Sequence, residues 1–441
     1  MSAELSMIWH FARLGRRSRI LNMFRNRPDR LCILRRTTNT RGWHEEVVDN
    51  AGDHRGAGGR LLYANSARAR LGSTRALLRR VLHRWYAVRG HGRPDIVTSI
   101  EESGEAVILF SQSEGRWIST TIGKGIIKRP EDTLPFDIDN DGDLDLLVSQ
   151  ENRSQKHTVC FNPGPGSRAR MSNDWVCEDV PSTKGKKSWL VAEPIRLSGG
   201  QTGFVIGGKE NDERGPGSIA LLIPGQKMRD LAGWTYLPLA DAPQRVMTIS
   251  VKDFNGDGIE DIAFVDGKGD GAGLSVLEQP LEVTAPWTNR RLSQGVSHAS
   301  FGLLHGDLIY SLEKAKGWSI VGYEPHGGVA RTRRPLPSDL CDPRSFVIAD
   351  FNSDKSEEFA VVCREVRYTN VRAYLVSTAP DGGMDVTVVA PTPGNWFSRT
   401  KYDAVYAVDM DGDGDLDLLT DEETYGGVGQ GVIWYENPGS K

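Results

Sequence analysis

Between Asp409 and Glu423 the chain reads DMDGDGDLDLLTDEE, with five carboxylates in nine residues and then an apolar run. Asp409, Asp411, Asp413 and Asp417 fall at positions 1, 3, 5 and 9, with Gly414 at position 6. Asp415, at position 7, would offer its backbone carbonyl. Alternate residues of a tightly curled loop can all point inward, and a glycine supplies the positive φ that the curl needs. Left alone, such carboxylates repel by about 4 kcal/mol per pair at about 4 Å and an effective dielectric near 20. A hard divalent cation removes that repulsion, and an all-oxygen cage suits Ca²⁺. The plainer reading is a solvated Asp/Gly turn between strands.

The loop recurs. DIDNDGDLD sets Asp137, Asp139, Asp141 and Asp145 around Gly142, and DFNGDGIED sets Asp253, Asn255, Asp257 and Asp261 around Gly258. A weaker copy, DFNSDKSEE, offers Asp350, Asn352, Asp354 and Glu358, with Lys355 in place of the glycine. A remnant around Gly92 and Asp95 has Ala87, Arg89 and His91 at the first three ligand positions, so no cation is expected there. These are not EF-hands: a strand follows each loop, and the bidentate Glu at position 12 is missing.

The elements that position these loops follow from their spacing. Loops start at 87, 137, 253, 350 and 409, at intervals of 50, 116, 97 and 59. Two intervals are single periods and two are double. The stretches from Val191 and Ser297 supply the missing units, which have the strand and the turn glycines but no acidic cage. Each unit continues with a second apolar run (AVILFSQ, HTVCFNP, SIALLIP, GLSVLEQ) and often a third run opened by Trp: Trp117, Trp175, Trp234, Trp287. Alternation and β-branched content mark strands throughout. Small sheets repeated at this period predict an all-β, seven-bladed β-propeller. The recurring tryptophans are expected to pack between blades. The last unit lacks a Trp-led strand, and RGWHEEVVD near the N-terminus offers one. Trp43 through Asp49 is therefore expected beside GVIWYEN, closing the last blade.

These residues resemble the FG-GAP/VCBS-repeat propeller family, whose D-x-[DN]-x-D-G-x-x-D loops bind Ca²⁺, as in the head of integrin α-subunits. The resemblance covers residues 41–60 and 92–441 and is specific at the level of fold. It implies adhesion modules, lectin-like domains or, less often, lyases and dehydratases acting on sugars, and fold does not choose among these. Family order runs from a Gly-rich stretch directly into the first Asp loop, so residues 61–91 read as an anomalous Arg-rich insertion.

Overall charge says little, with 54 basic residues against 58 acidic. Its distribution says more. Residues 1–93 hold 20 Arg, no Lys and six acids, or +14, which leaves −18 for the rest. Residues 1–40 then form a basic extension outside the propeller, 41–441. Three readings stand for the basic segments: a nucleic-acid-binding arm, a membrane-surface segment around RALLRRVLHRWYAV, or stretches that are not native coding sequence. The last is preferred, and nucleic acid is not an expected partner. No run reaches the roughly 18 apolar residues of a membrane span. MSAELSMIWHFARLGRRSRI lacks a signal-peptide core, yet the family resemblance implies an extracellular or periplasmic protein. Cys160/Cys177 and Cys341/Cys363 are each placed either for a disulfide or as small buried apolar residues; Cys32 is left over.

No His/Cys metal cluster, nucleophile elbow or phosphate loop is visible. The turns after the motif strands should gather on one face, opposite the acidic loops. They carry Glu151, Lys209, Glu210, Asp266, Lys268, Glu422 and Glu423, a mixture suited to a polar ligand. The expectation is a secreted, monomeric, Ca²⁺-stabilised binding module for carbohydrate or protein. The alternative is a carbohydrate-active lyase or dehydratase using acid–base chemistry on that face. Solvated loops are the plain reading of the same residues.

Overall fold

The strand after each acidic loop begins with the loop's last acid and an unbroken apolar run (LLV, IAFV, FAVVC, LL), the pattern of a strand start covered on both faces. In the computed structural model Asp145–Gln150 and Asp261–Asp266 are buried along their whole length. The structure describes residues 33–39, 42–48, 85–86, 95–100, 106–113, 116–151, 154–164, 172–209, 216–240, 244–364, 371–379, 383–391, 400–424, 431–437 and 439. Within these the chain forms strands and three short 3-10 turns.

Five sheets are four-stranded antiparallel meanders, here numbered along the chain. The first holds Trp85–Tyr86, Asp95–Ile100, Ala106–Ser113 and Arg116–Ile122. The second holds Pro130–Phe136, Asp145–Gln150, Lys156–Phe161 and Val176–Asp179. The third holds Ser188–Arg196, Thr202–Lys209, Ile219–Ile223 and Thr235–Ala240. The fourth runs from Val246–Lys252 to Thr288–Arg291, and the fifth from His298–His305 to Ala330–Pro335. The sixth sheet has nine strands. One meander, Asp342–Ala349 to Met384–Pro391, adjoins a second made of Thr400–Val408, Asp417–Thr424 and Gly431–Tyr435.

Neighbouring sheets pack through their inner strands, from Asp95–Ile100 onto Pro130–Phe136, then Ser188–Arg196, Val246–Lys252, His298–His305, Asp342–Ala349 and Thr400–Val408. The apolar core is therefore divided into clusters between sheets, not gathered at one centre. This is a β-propeller. Trp175 and Trp234 are buried in these seams, and Trp234 stacks on Phe204 with centroids 5.6 Å apart. Trp287 is partly buried in the seam between the third and fourth sheets. The Trp117 side chain lies outside the described residues.

Two expectations are corrected. The described strands form six sheets where the repeat count predicts seven. The reason is local: Arg364, at the end of Glu358–Arg364, pairs with Lys401 of Thr400–Val408 and fuses two meanders. The closing strand also differs. Ile33–Asn39 pairs in parallel with Gly431–Tyr435 (Leu34 opposite Ile433, Arg36 opposite Tyr435), and Gly42–Val48 lies outside it as the second arm of a hairpin. Residues 43–48 thus pair with the preceding strand, because ILRRTTN carries the β-branched Ile33, Thr37 and Thr38 that favour a strand, and Asn39 and Gly42 stand opposite each other across a two-residue connection. Of the basic segments, 33–39 and Trp85–Tyr86 are described; Trp85–Tyr86 pairs with Asp95–Ile100. The remainder of 1–40 and 61–91 lies outside the described residues.

Both candidate cysteine pairs are disulfides. Cys160–Cys177 joins directly opposed residues of neighbouring strands, and Cys341–Cys363 ties the start of one meander to its second strand. No helix among the described residues is long and apolar enough to cross a membrane.

Candidate metal centres and the opposite face

The four acidic loops share one backbone design. Position 6 has left-handed φ in each: +94° at Gly142, +88° at Gly258, +72° at Lys355 and +99° at Gly414. Position 4 does too, at Asn140, Gly256, Ser353 and Gly412, a requirement that the sequence reading missed. The residue types at position 4 were its signal: Asn and Gly tolerate this region best. The position 1 carboxylate accepts the amide of position 6 in every copy, at 3.1, 2.9, 3.0 and 3.1 Å. Side chains at positions 3 and 5 accept the amides two residues on, as at Asp139–Asp141 and Asp141–Asp143.

Position 9 does something different. Asp145, Asp261 and Asp417 are fully buried or nearly so, and both oxygens of each carboxylate accept backbone amides. One amide comes from position 2: Ile138, Phe254 or Met410. The other comes from the end of the unit's third strand: Asn162, Gln279 or Asn437. The same Asn or Gln side chain donates back to the carbonyl of position 8, at Leu144, Glu260 or Leu416. The Asn-Pro-Gly at 162–164 and 437–439 and the Gln-Pro at 279–280 were the sequence signal for this latch. The 350 unit has no such residue, and Glu358 instead takes its second partner from Asn352 within the loop. Asp95 opens its strand at the equivalent place and is likewise buried.

Carboxylate oxygens converge in two loops, within 4.8 Å of one another: Asp137, Asp139 and Asp145 in one, Asp409, Asp411 and Asp413 in the other. Among the described residues, the 253 and 350 sets form no such group. Oδ1 of Asp137 and Oδ1 of Asp415 are buried and accept no hydrogen bond. Burial pushes Asp145 and Asp417 up to about 7, against the amides that donate to them. Burial, and next the charge of Asp413, lifts Asp415 to about 6. These are the signs of negative charge held with too little compensation. In the 137 loop part of the compensation is internal: the Arg229 guanidinium bonds Asp139 and Asp141 and lies 4.8 Å from the Phe161 ring centroid.

On the opposite face the structure joins some of the expected residues. Glu151 is 2% exposed and pairs with Lys209 of the next sheet and, at 3.0 Å, with Arg129. Lys209 also faces Glu131 at 3.7 Å. Asp266 is instead structural: it is buried and accepts the amides of Gln244 and Arg245, while burial raises its pKa. Lys268 makes a backbone bridge to His298. Glu210 lies outside the described residues, as do the side chains of Glu422 and Glu423, whose backbone belongs to Asp417–Thr424.

A feature with no sequence signal completes this face. Six successive inner strands slip register near their starts, between Pro130 and Asp132, Trp189 and Val191, Val246 and Thr248, Ala299 and Phe301, Pro343 and Ser345, and Tyr402 and Val405. Bulges re-aim side chains and cluster at rims. Here they present Glu131, Ser300, Arg344 and Asp403. Arg344 donates to Asp403 at 2.8 Å, and the Ser300 hydroxyl donates to the Arg344 carbonyl at 2.6 Å.

No family model and no curated protein matches the chain. Solved structures do. One is BBS1N in its complex with ARL6DN, at 12% identity and a TM-score of 0.47, covering 79% of this chain and 89% of that one. Another is Saccharomyces cerevisiae Sqt1, at 10% identity and 0.40, covering 61% and 65%. A thermostable family-43 glycoside hydrolase has 14% identity and 0.31, covering 59% and 94%.

Proposed function

We propose that this chain is a secreted, Ca²⁺-stabilised propeller of the FG-GAP/VCBS-repeat kind that binds carbohydrate or protein ligands on the face opposite its acidic loops. The reading rests on the two loops in which three carboxylates converge and a buried carboxylate oxygen has no partner. An unpaired buried charge is costly, and a hard cation with an oxygen shell removes the cost. Asp137, Asp139 and Asp145 would hold one ion and Asp409, Asp411 and Asp413 another, with Asp141 and Asp417 beside them. Asp253, Asn255, Asp257 and Asp261 form a third, less charged candidate. Two disulfides fit an oxidising compartment.

On the other face, the Arg129–Glu131–Glu151–Lys209 group and the Arg344–Asp403 pair offer donors and acceptors suited to hydroxyl-rich or charged ligands. A glycan array and a protein array, each probed in Ca²⁺, test this. Binding by the native chain that is lost in Arg344→Ala, with melting unchanged, supports the assignment. Equal binding by that variant places the ligand elsewhere.

A further inference from the structure

In the acidic loops the side-chain oxygens divide by task. At position 3, Oδ1 of Asp139, Asn255, Asn352 and Asp411 accepts the amide of position 5. At position 5, Oδ1 of Asp141, Asp257, Asp354 and Asp413 accepts the amide of position 7. Those bonds shape the turn, so Oδ2 of each carboxylate is the oxygen that remains for a cation. Where position 3 is Asn, its side-chain amide donates to the Oδ2 at position 5: Asn255 to Asp257 at 3.0 Å and Asn352 to Asp354 at 3.1 Å. An ionised Asp139 has no proton to donate. In its loop the Oδ2 atoms of Asp139 and Asp141 both accept from Arg229 of the third sheet, through Nε on Asp139 and through Nη2 on Asp141 at 3.4 Å.

The chain around Arg229 holds it at this rim. It lies in the connection between Ile219–Ile223 and Thr235–Ala240. The Asp230 amide donates to the Lys227 carbonyl at 2.9 Å, closing a turn around it. The carbonyl of the adjacent Met228 accepts the Trp234 indole N–H at 3.0 Å, and Trp234 is itself stacked on Phe204 in the seam. The guanidinium carbon sits 4.8 Å from the Phe161 ring centroid. The backbone is thus anchored, while the side chain is 56% exposed and its head can swing into water.

We propose that Arg229 is a tethered counter-cation of the 137 loop, which Ca²⁺ displaces from Oδ2 of Asp139 when it binds. The device rests on the Ca²⁺ reading above. Arg229 is an incomplete stand-in for such an ion: it reaches Asp139 and Asp141 only, and Oδ1 of Asp137, buried in the same loop, still accepts no hydrogen bond. A divalent ion among Asp137, Asp139 and Asp145, whose oxygens lie within 4.8 Å of one another, compensates that inner group as well. Two cations on one carboxylate oxygen repel, so the ion and the guanidinium exclude each other there. Binding at the 137 loop therefore releases a contact between the second and third sheets. It is also weakened by the worth of that contact, roughly fivefold for a part-exposed ion pair of ~1 kcal/mol.

The experiment is a calorimetric titration of the chelator-treated full chain with CaCl₂, in an Asp411→Ala background that removes the 409 ion. The heat lost on adding Asp137→Ala identifies the 137 ion. Adding the neutral Arg229→Gln instead should tighten that ion roughly fivefold, and Arg229→Lys, which keeps a cation at the rim, should tighten it less. Melting curves should cross: Arg229→Gln melts below its background in EDTA, where Asp139 and Asp141 lose their counter-cation, and no lower than its background in saturating Ca²⁺. Unchanged or weaker Ca²⁺ binding by Arg229→Gln overturns the proposal and leaves the Ca²⁺ reading standing. Equal tightening by Arg229→Lys also overturns it, since charge is then not what competes. No binding heat in any chain, the Arg229 variants included, overturns both.

Discussion

His157 gives the propeller a built-in acid sensitivity. Its ring is fully buried against Trp189, with centroids 5.1 Å apart, and neither ring nitrogen has a hydrogen-bond partner. Burial lowers its pKa from 6.5 to about 3. The folded state thus keeps the ring neutral while the unfolded chain takes up a proton, so stability falls as pH drops below 6.5 and keeps falling to about 3. Between pH 8 and pH 5 the loss is roughly 2 kcal/mol, and its limit below pH 3 is roughly 5 kcal/mol. Asp145 and Asp417, with raised pKa values, work in the other direction, so the informative quantity is a difference. Urea denaturation of the native chain and of His157→Leu, in steps from pH 8 to pH 5, isolates it. The variant should gain on the native chain by roughly 2 kcal/mol across that range. At pH 8 it should be no less stable, because no hydrogen bond is lost. Parallel stability profiles for the two chains would refute the assignment of a buried, unpartnered imidazole.

Lys355 holds a φ of +72°, which costs a non-glycine residue about 1 kcal/mol. Lys355→Gly should therefore leave stability unchanged or raise it by up to about 1 kcal/mol, whereas Gly414→Ala should lower it by a similar amount. The space that an alanine Cβ would take at Gly414 is open, with no atom within 4 Å, so only backbone strain is at stake, and differential scanning calorimetry reads both. Asn437→Ala removes the side chain that latches the third strand to the Leu416 and Phe351 carbonyls, and should cost about 1–3 kcal/mol. An unchanged melting temperature would sink the latch. Removing Cys160–Cys177, which spans 17 residues, by Cys160→Ala with Cys177→Ala should cost about 3 kcal/mol, read as a drop in melting temperature.

Much of the acidic-loop design was legible because it is local. Carboxylates at alternate positions around a glycine constrain a nine-residue turn by themselves, and all four loops adopt one backbone form. The part that the sequence does not show is the part that depends on distant partners. Asp145, Asp261 and Asp417 read as ligands in the sequence, and in the structure their oxygens also take amides from Asn162, Gln279 and Asn437, which lie 17, 18 and 20 positions away. The bulge ring was not legible either, since a register slip leaves no mark in the alternation of DTLPF or VMTIS. The sheet count failed at one residue pair, Arg364 with Lys401, and the closing strand failed where two adjacent runs, ILRRTTN and GWHEEVV, compete for one edge. Of the ligand-face residues, Glu151 and Lys209 meet, while Asp266 is taken up by the backbone it clamps.

The most direct test of the central proposal is a calorimetric titration of the chelator-treated chain with Ca²⁺, paired with melting curves in Ca²⁺ and in EDTA. Saturable binding of at least two ions is expected. At a hundredfold excess over Kd each ion should add about 2.7 kcal/mol of stability. Asp137→Ala and Asp411→Ala should each remove one site. No binding heat, together with a melting curve unchanged by EDTA, would contradict it.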